Sequence, residues 1–392
     1  MTSNRSAIIL SIDGLGARSL GAYGNTWYRT PQFNRFAAAS VLFEHAFATA
    51  PDSSRDFWRM ISPLEAEQND LFRRLDNNGT ETVMLSDDAE VCEWAASRFE
   101  RVVHVPGEKG TRAADDWTET ESARFFSAAA DEIENLKEGS LLWMHSRGMF
   151  GSWDAPTKFR TDLAEEDDPA PPEFVETPCK ILPDDFDPDE VLGIQQAYGA
   201  QVHLVDECLG IILDQLDELP VDRIPLFVVH APRGFPLGEH RVVGEGAACV
   251  YDESLHVPLM IRHPDARWAA SRCLDLVTSA NLTACVVEWL ESHPDFNSRN
   301  APSSLPERKT QWTVAKTVGQ RAVRTHAWKL ITDGNSTELY TKPDDRWEQN
   351  NVRSLCPEVV DQLNSLLALP TDDAVRSNPA PSLPDSLAFG AS

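Results

Sequence analysis

Five short, almost continuously apolar runs punctuate the chain: Ala7 to Asp13, Glu81 to Ser86, Ser140 to His145, Ile224 to His230 and Val257 to Arg262. Between them lie helical patterns over Ala66 to Asn77, Ser122 to Leu136 and Asp189 to Leu219. Strands that are apolar on both faces must be covered on both sides. The alternation therefore predicts a mostly parallel sheet between two helical layers, a three-layer α/β sandwich. In the longest helix the apolar residues Tyr198, Val202, Val205, Leu209, Ile212 and Leu216 recur every three or four positions, as on an amphipathic helix. Cys208 and His203 on it read as structural. Sheets of this kind collect ligands at the carboxyl ends of their strands. Asp13 and the segment after His230 are expected at such ends.

After about Asp295 the pattern changes to short alternating segments: Gln311 to Val314, Arg321 to Ile331 and Thr337 to Tyr340, followed by a helical stretch from Glu358 to Leu369. This predicts a small antiparallel subdomain. The expected division is an α/β domain over 1–300, the sheet-and-helix subdomain over 301–370, and a disordered Pro- and Ser-containing tail over 371–392. The stretch from Glu165 to Asp189, rich in Asp, Glu and Pro, reads as an exposed loop or lid.

Composition narrows the partners. The chain has 392 residues, 35 basic against 62 acidic, and a net charge of -27. Such a surface repels polyanions, which argues against nucleic acid and anionic membranes. No stretch approaches the ~18 apolar residues of a membrane span. The N-terminal apolar run is too short for a signal peptide and leads directly into Asp13. The seven cysteines are scattered without C-x-x-C spacing, and Cys92, Cys208, Cys249 and Cys285, in apolar contexts, read as buried reduced thiols. A cytoplasmic location is expected.

Three motifs carry a resemblance. Near the N-terminus Ala7-Ile-Ile-Leu-Ser-Ile-Asp13 leads into Gly14-Leu-Gly-Ala-Arg-Ser-Leu20 and Gly21-Ala-Tyr-Gly24. Later come Leu226-Phe-Val-Val-His230, Leu237-Gly-Glu-His240 and Tyr251-Asp-Glu-Ser-Leu-His-Val-Pro-Leu259. Ala46-Phe-Ala-Thr-Ala-Pro51 stands between them. Together these resemble the sulfatases of the alkaline-phosphatase superfamily over roughly residues 6 to 369. The resemblance implies the alkaline-phosphatase-like fold with its small C-terminal sheet. It also implies a calcium ion held by oxygen ligands, a Cys or Ser nucleophile converted to formylglycine, and cations around the sulfate.

Set on that pattern, the reacting positions have changed. Asp13 keeps one metal-ligand position; its partner falls on Gly14 or Arg18. The family's D-H pair falls on Pro232 and Arg233. Asp13 is thus the only retained residue of ligand type, and a calcium site wants about 6–8 oxygens. No metal is expected, and calcium enters only if the chain is a working hydrolase. Ser53 takes the nucleophile position without a gap, but Ser54, Arg55, Asp56 and Phe57 follow where the family has x-P-S-R. Ser53 reads equally well as a helix N-cap. A family His falls on Phe150 and a family Lys near Glu245. His145 and His240 survive. Arg233, with Arg18, is placed to face Asp13 and supply the charge a metal would give.

The expectation from sequence is a sulfatase-fold protein with a degenerate, metal-free site. It would bind an anionic small molecule or sulfated saccharide through Asp13, Arg18, Arg55, Arg59, Arg233 and His145. Two alternatives stay open: a divergent sulfate- or phosphate-ester hydrolase using Ser53 and His240, and a non-catalytic interaction subunit.

Overall fold

A computed structural model describes residues 5–49, 51, 75, 79–107, 110–245, 249–291, 311–369 and 387. The helix expected over Ala66 to Asn77 and the tail from Thr371 fall outside the described residues, save Leu75 and Leu387.

Numbered along the chain, the strands are β1 (Ala7–Ile12), β2 (Val41–Phe47), β3 (Thr82–Ser86), β4 (Arg101–His104), β5 (Leu141–Ser146), β6 (Lys180–Ile181), β7 (Leu226–His230), β8 (Val242–Val243), β9 (Leu259–Arg262) and β10 (Ser271–Thr278). Eight of them form the central sheet in the order β10-β2-β9-β7-β1-β5-β3-β4; β6 and β8 pair with each other outside it. β1 lies between β5 and β7, parallel to both. Every residue of β1, β5 and β7 is buried, so both faces of the sheet centre are covered, as continuous apolar runs require. β9 runs antiparallel to both β7 and β2. The other seven strands share one direction, so their carboxyl ends form one edge.

Three strands of the central sheet were not legible in the sequence. β2 is broken by Glu44 and His45, which are half-buried. β4 and β10 are edge strands, exposed at several positions, and carry charges that mask their periodicity.

The longest helix, Pro188–Asp217, starts at an Asp187 cap whose carboxylate accepts the Asp189 N–H, with proline at its first position. It anchors the turn after β1, because the Tyr198 hydroxyl donates to the Gly14 carbonyl at 2.9 Å. Asp206 on the same helix accepts the N–H groups of Gln32 and Phe33 at 3.0 and 2.8 Å. It thereby caps the helix Pro31–Ala38, whose own Thr30 makes no side-chain cap. No helix among the described residues is long and apolar enough to cross a membrane.

The C-terminal strands β11 (Trp312–Lys316), β12 (Arg321–Thr325), β13 (Trp328–Thr332) and β14 (Thr337–Thr341) form an antiparallel sheet. Val323, Leu330 and Leu339 of one face pack on Val359, Leu363 and Leu367 of the helix Pro357–Leu367, a core of their own. The other face meets the large domain through buried charges. Lys329 Nζ lies 2.7 Å from Asp252 and 2.8 Å from Glu348; Lys342 Nζ lies 2.9 and 2.8 Å from the same two carboxylates. Removing one member of such a network strands the rest. Asp252→Asn should therefore destabilise the protein by about 3–5 kcal/mol in urea unfolding. A loss below ~1 kcal/mol, the value of a solvated pair, would contradict this picture.

Candidate functional site

Asp13 follows β1 directly and is 3% exposed. Its backbone is gripped by the loop after β5: its N–H donates to Ser146 O at 3.0 Å and its carbonyl accepts from Met149 N at 2.8 Å. Two glycines allow this approach. Gly14 has φ +77°, and a Cβ there would sit 2.8 Å from the Met149 side chain. Gly148 has φ +50°, and its Cβ would sit 2.6 Å from the Asp13 carbonyl oxygen.

Arg233 enters from the carboxyl end of β7 and is 5% exposed. Its Nε and Nη2 donate to the two Asp13 carboxylate oxygens, each at 3.0 Å, a bidentate fork. Nη1 donates to Glu245 at 2.9 Å and points at the Pro51 carbonyl at 3.5 Å. The guanidinium carbon lies 3.8 Å from the centre of the Phe150 ring, a cation–π contact. Burial works to lower the Arg233 pKa, but Asp13 and Glu245 together outweigh it and raise it further. Gly234 keeps the loop close: its N–H donates to Ser254 O at 2.8 Å, and a Cβ would meet the Glu253 carbonyl at 2.2 Å.

The pair forms one wall of a cleft of about 680 Å³. The described lining contains six carboxylates (Asp13, Asp87, Asp88, Glu90, Glu121 and Glu245) against the two guanidiniums of Arg147 and Arg233. Asp88 caps the helix Ala89–Ala95 through the N–H of Glu90 at 2.9 Å. Asp87 accepts the Arg147 N–H at 2.7 Å and the Ser146 hydroxyl at 3.0 Å.

The sequence-expected residues separate here. Arg233 and Asp13 meet. Arg18 does not join them: it pairs with Glu239 at 2.5 Å and lies near the Trp347 ring, because the turn after β1 carries it towards the C-terminal subdomain. His145 lies in the core on β5, fully buried between the register positions Ser11 and Ser86, and is absent from the cleft lining. Burial pulls its pKa down. His240 also faces elsewhere. Its Nδ1 is 2.9 Å from Glu253, its Nε2 is 3.1 Å from the Glu348 carbonyl, and its ring stacks on Tyr251 at 3.5 Å. Both ring nitrogens face acceptors, so the imidazolium satisfies both. Burial opposes this charge, yet Glu253 raises the pKa overall. Ser53, Arg55 and Arg59 lie outside the described residues.

Sequence reasoning missed Asp87, Asp88 and Arg147. The strand-end position of Asp87 and Asp88 was the available signal. It also placed Glu245 only as a lost lysine, whereas Glu245 is the second partner of Arg233.

These residues do not fit a calcium ion. Both oxygens of Asp13 are engaged by Arg233, and Pro232 and Arg233 bring no side-chain oxygen. Among the described residues no three His, Cys, Asp or Glu side chains converge as metal ligands.

The profile of the sulfatase family matches residues 5–292. No curated protein sequence matches the chain. Among solved structures it is similar to a putative sulfatase from Bacteroides thetaiotaomicron: 16% identity, TM-score 0.71, over 96% of this chain and 93% of that one. It is also similar to a phosphonate monoester hydrolase of Agrobacterium radiobacter, at 17% identity and TM-score 0.67, over 93% of this chain and 95% of that one. A third similar protein, solved with its substrate D-glucosamine-2-N,6-O-disulfate, has 16% identity and TM-score 0.72 over 97% of this chain and 99% of its own. Identities this low establish a shared fold.

Two outcomes are expected at this site. Arg233→Ala strands a buried carboxylate and should cost about 3–5 kcal/mol in denaturant unfolding, more than the double change Asp13→Asn with Arg233→Met. Equal, small losses in both would mean the pair is not a buried unit. The second concerns Asp87, whose carboxyl burial pushes up to about 7, the bonds from Arg147 and Ser146 only partly offsetting this. Folding raises this pKa, so the stability it contributes is intact in acid and lost as pH rises through about 7. Asp87→Asn should gain stability relative to the parent between about pH 5 and pH 8. A pH-independent difference would refute the assignment.

Proposed function

The chain belongs to the sulfatase family, and we propose that it is a member whose metal position is filled by Arg233 and which does not hydrolyse sulfate esters. The bidentate Arg233–Asp13 bond carries this reading. A divalent cation at Asp13 would have to displace a guanidinium held by two carboxylates and an aromatic ring. If Arg233 stayed, the cation would meet its like charge in a poorly solvated site. The run after Ser53 supports the same conclusion, since it lacks the x-P-S-R context in which the family's nucleophile becomes formylglycine.

What remains is a binding cleft. An anionic ligand or sulfated saccharide would rest on Arg147; Arg55 and Arg59, expected to join it, lie outside the described residues. The described lining, with its excess of carboxylates, opposes that choice and favours a neutral or cationic group. The sulfated sugar of the structural neighbour is that protein's ligand. The hydrolase alternative, with Ser53 and calcium, requires Arg233 to leave Asp13. The interaction-subunit alternative draws on the acidic stretch from Glu165 to Asp189. The scattered cysteines, without C-x-x-C spacing, support a reducing, cytoplasmic setting.

Three measurements on one preparation test the reading. After calcium soaking and desalting, elemental analysis should find well under one equivalent of calcium per chain. Mass spectrometry should find Ser53 unmodified, and turnover of an aryl sulfate should stay at background. Formylglycine at Ser53, with turnover abolished by Ser53→Ala, would overturn the proposal.

A further inference from the structure

The junction between the two sheets carries a cation short of a counter-charge. Arg324 on β12 sits opposite Thr313 and Lys329 in the register and is 6% exposed. Its guanidinium carbon lies 5.2 Å from the ring centre of Phe47 at the end of β2. The Nε and Nη1 groups are buried without a hydrogen-bond acceptor among the described residues. The nearest carboxylate is Asp252 at 3.7 Å, beyond hydrogen-bond reach, and Asp252 already takes Lys329 at 2.7 Å and Lys342 at 2.9 Å. Three cations (Arg324, Lys329 and Lys342) thus face two carboxylates, Asp252 and Glu348. A buried guanidinium left in this state is costly, and its free donors define where an acceptor would go.

Imidazoles lie within its electrostatic reach. The rings of His45 on β2 and His326, just past β12, lie 5.7 Å apart, edge to face. Both are half-buried, so the group reaches solvent. A third, His256, is committed through Nε2 to the Glu44 carbonyl at 2.8 Å.

We propose that Arg324, His45 and His326 form a binding site for a small tetrahedral oxyanion of the sulfate or phosphate class, at the junction of the two sheets. The site is separate from the Asp13 centre, with β9 and β7 lying between β2 and β1, and it stands whether or not that centre is catalytic. The three side chains come from β2, from β12 and from the turn beyond. Donors set on different sides suit a tetrahedral anion better than a flat carboxylate, with the unpartnered Nε or Nη1 of Arg324 taking one oxygen.

The electrostatics agree. Burial first, then Arg324, His256 and His326, bring His45 down to about 4, with Asp252 opposing. Burial and Arg324 lower His326, opposed by Asp275. A bound dianion offsets the field of Arg324 and returns protons to both rings. Binding should therefore tighten as pH falls, up to about tenfold per pH unit for each proton taken up.

The test uses the full-length protein and inorganic sulfate, which does not itself titrate in this range. Thermal unfolding and calorimetry at about pH 6 and pH 7.5 should show saturable stabilisation by sulfate, stronger at the lower pH. Sulfate also stabilises proteins non-specifically without saturating. Arg324→Met supplies the contrast: it should fold at least as stably without sulfate and lose the saturable effect. If that variant does not fold, the double change His45→Gln with His326→Gln retains Arg324 and should lose most of the pH dependence. Phenyl sulfate run in parallel separates sources: a matching Arg324-dependent shift means an ester-borne group enters, and its failure means the free ion alone does. The proposal fails if acetate stabilises as well as sulfate. It fails also if sulfate gives no saturable effect, or if the effect survives Arg324→Met and disappears in Arg147→Gln, which would place the anion in the cleft.

Discussion

One buried ion pair sets the geometry of the carboxyl edge of the sheet. Asp13 ends the central strand, and a carboxylate there, out of water and bounded by β5 and β7, needs a cation. Arg233 provides it with a fixed fork that asks for two coplanar oxygens. Bringing that fork in from β7 places the loops after β1, β5 and β7 within one side chain of each other. The glycines at 14, 148 and 234 are where a Cβ would prevent this. Phe150 then supplies a ring for the guanidinium to lie on, and Glu245 takes its remaining edge. On the proposed reading, this arginine side chain takes the place of the family's metal.

Much of this was readable in advance, and the failures have physical causes. Strands buried on both faces announce themselves as unbroken apolar runs, so β1, β3 and β5 were located to within a residue at either end and β7 to within two. The direction of β9 was not readable, because a short apolar run has no polarity. β10 was hidden by exposed Arg272 and a mixed edge pattern. At the site, Arg233 was expected against Asp13 from its place in a motif, and the distances agree. Arg18 was assigned by the same reasoning and went elsewhere, since the direction of the turn after β1 depends on packing against Tyr198, nearly two hundred residues away. His240 looks like a catalytic histidine in sequence; its carboxylate and carbonyl neighbours, known only in three dimensions, make it a tie between domains.

The distribution of charge is uneven in an instructive way. The chain as a whole is strongly acidic, yet the side chains buried at its junctions include Arg233, Arg324, Lys329 and Lys342. Acidic residues keep the exterior hydrated and self-repelling, while the few cations inside hold loops and domains together. Around Asp13 the cation has two anionic partners. At the junction of the two sheets the count runs the other way.

The strand order also governs how the chain can be made. β1 emerges first from synthesis but belongs in the middle of the sheet. Ser11 on it bonds the side chain of His230, 219 residues later, and the Trp143 indole, 132 residues later. Until β7 has appeared, one edge of an entirely buried strand has no native neighbour. Pairings of such sequence separation close slowly and leave a nascent chain open to association with others. The intervening acidic stretch from Glu165 to Asp189 is translated during that interval, and like charge of this density repels neighbouring chains.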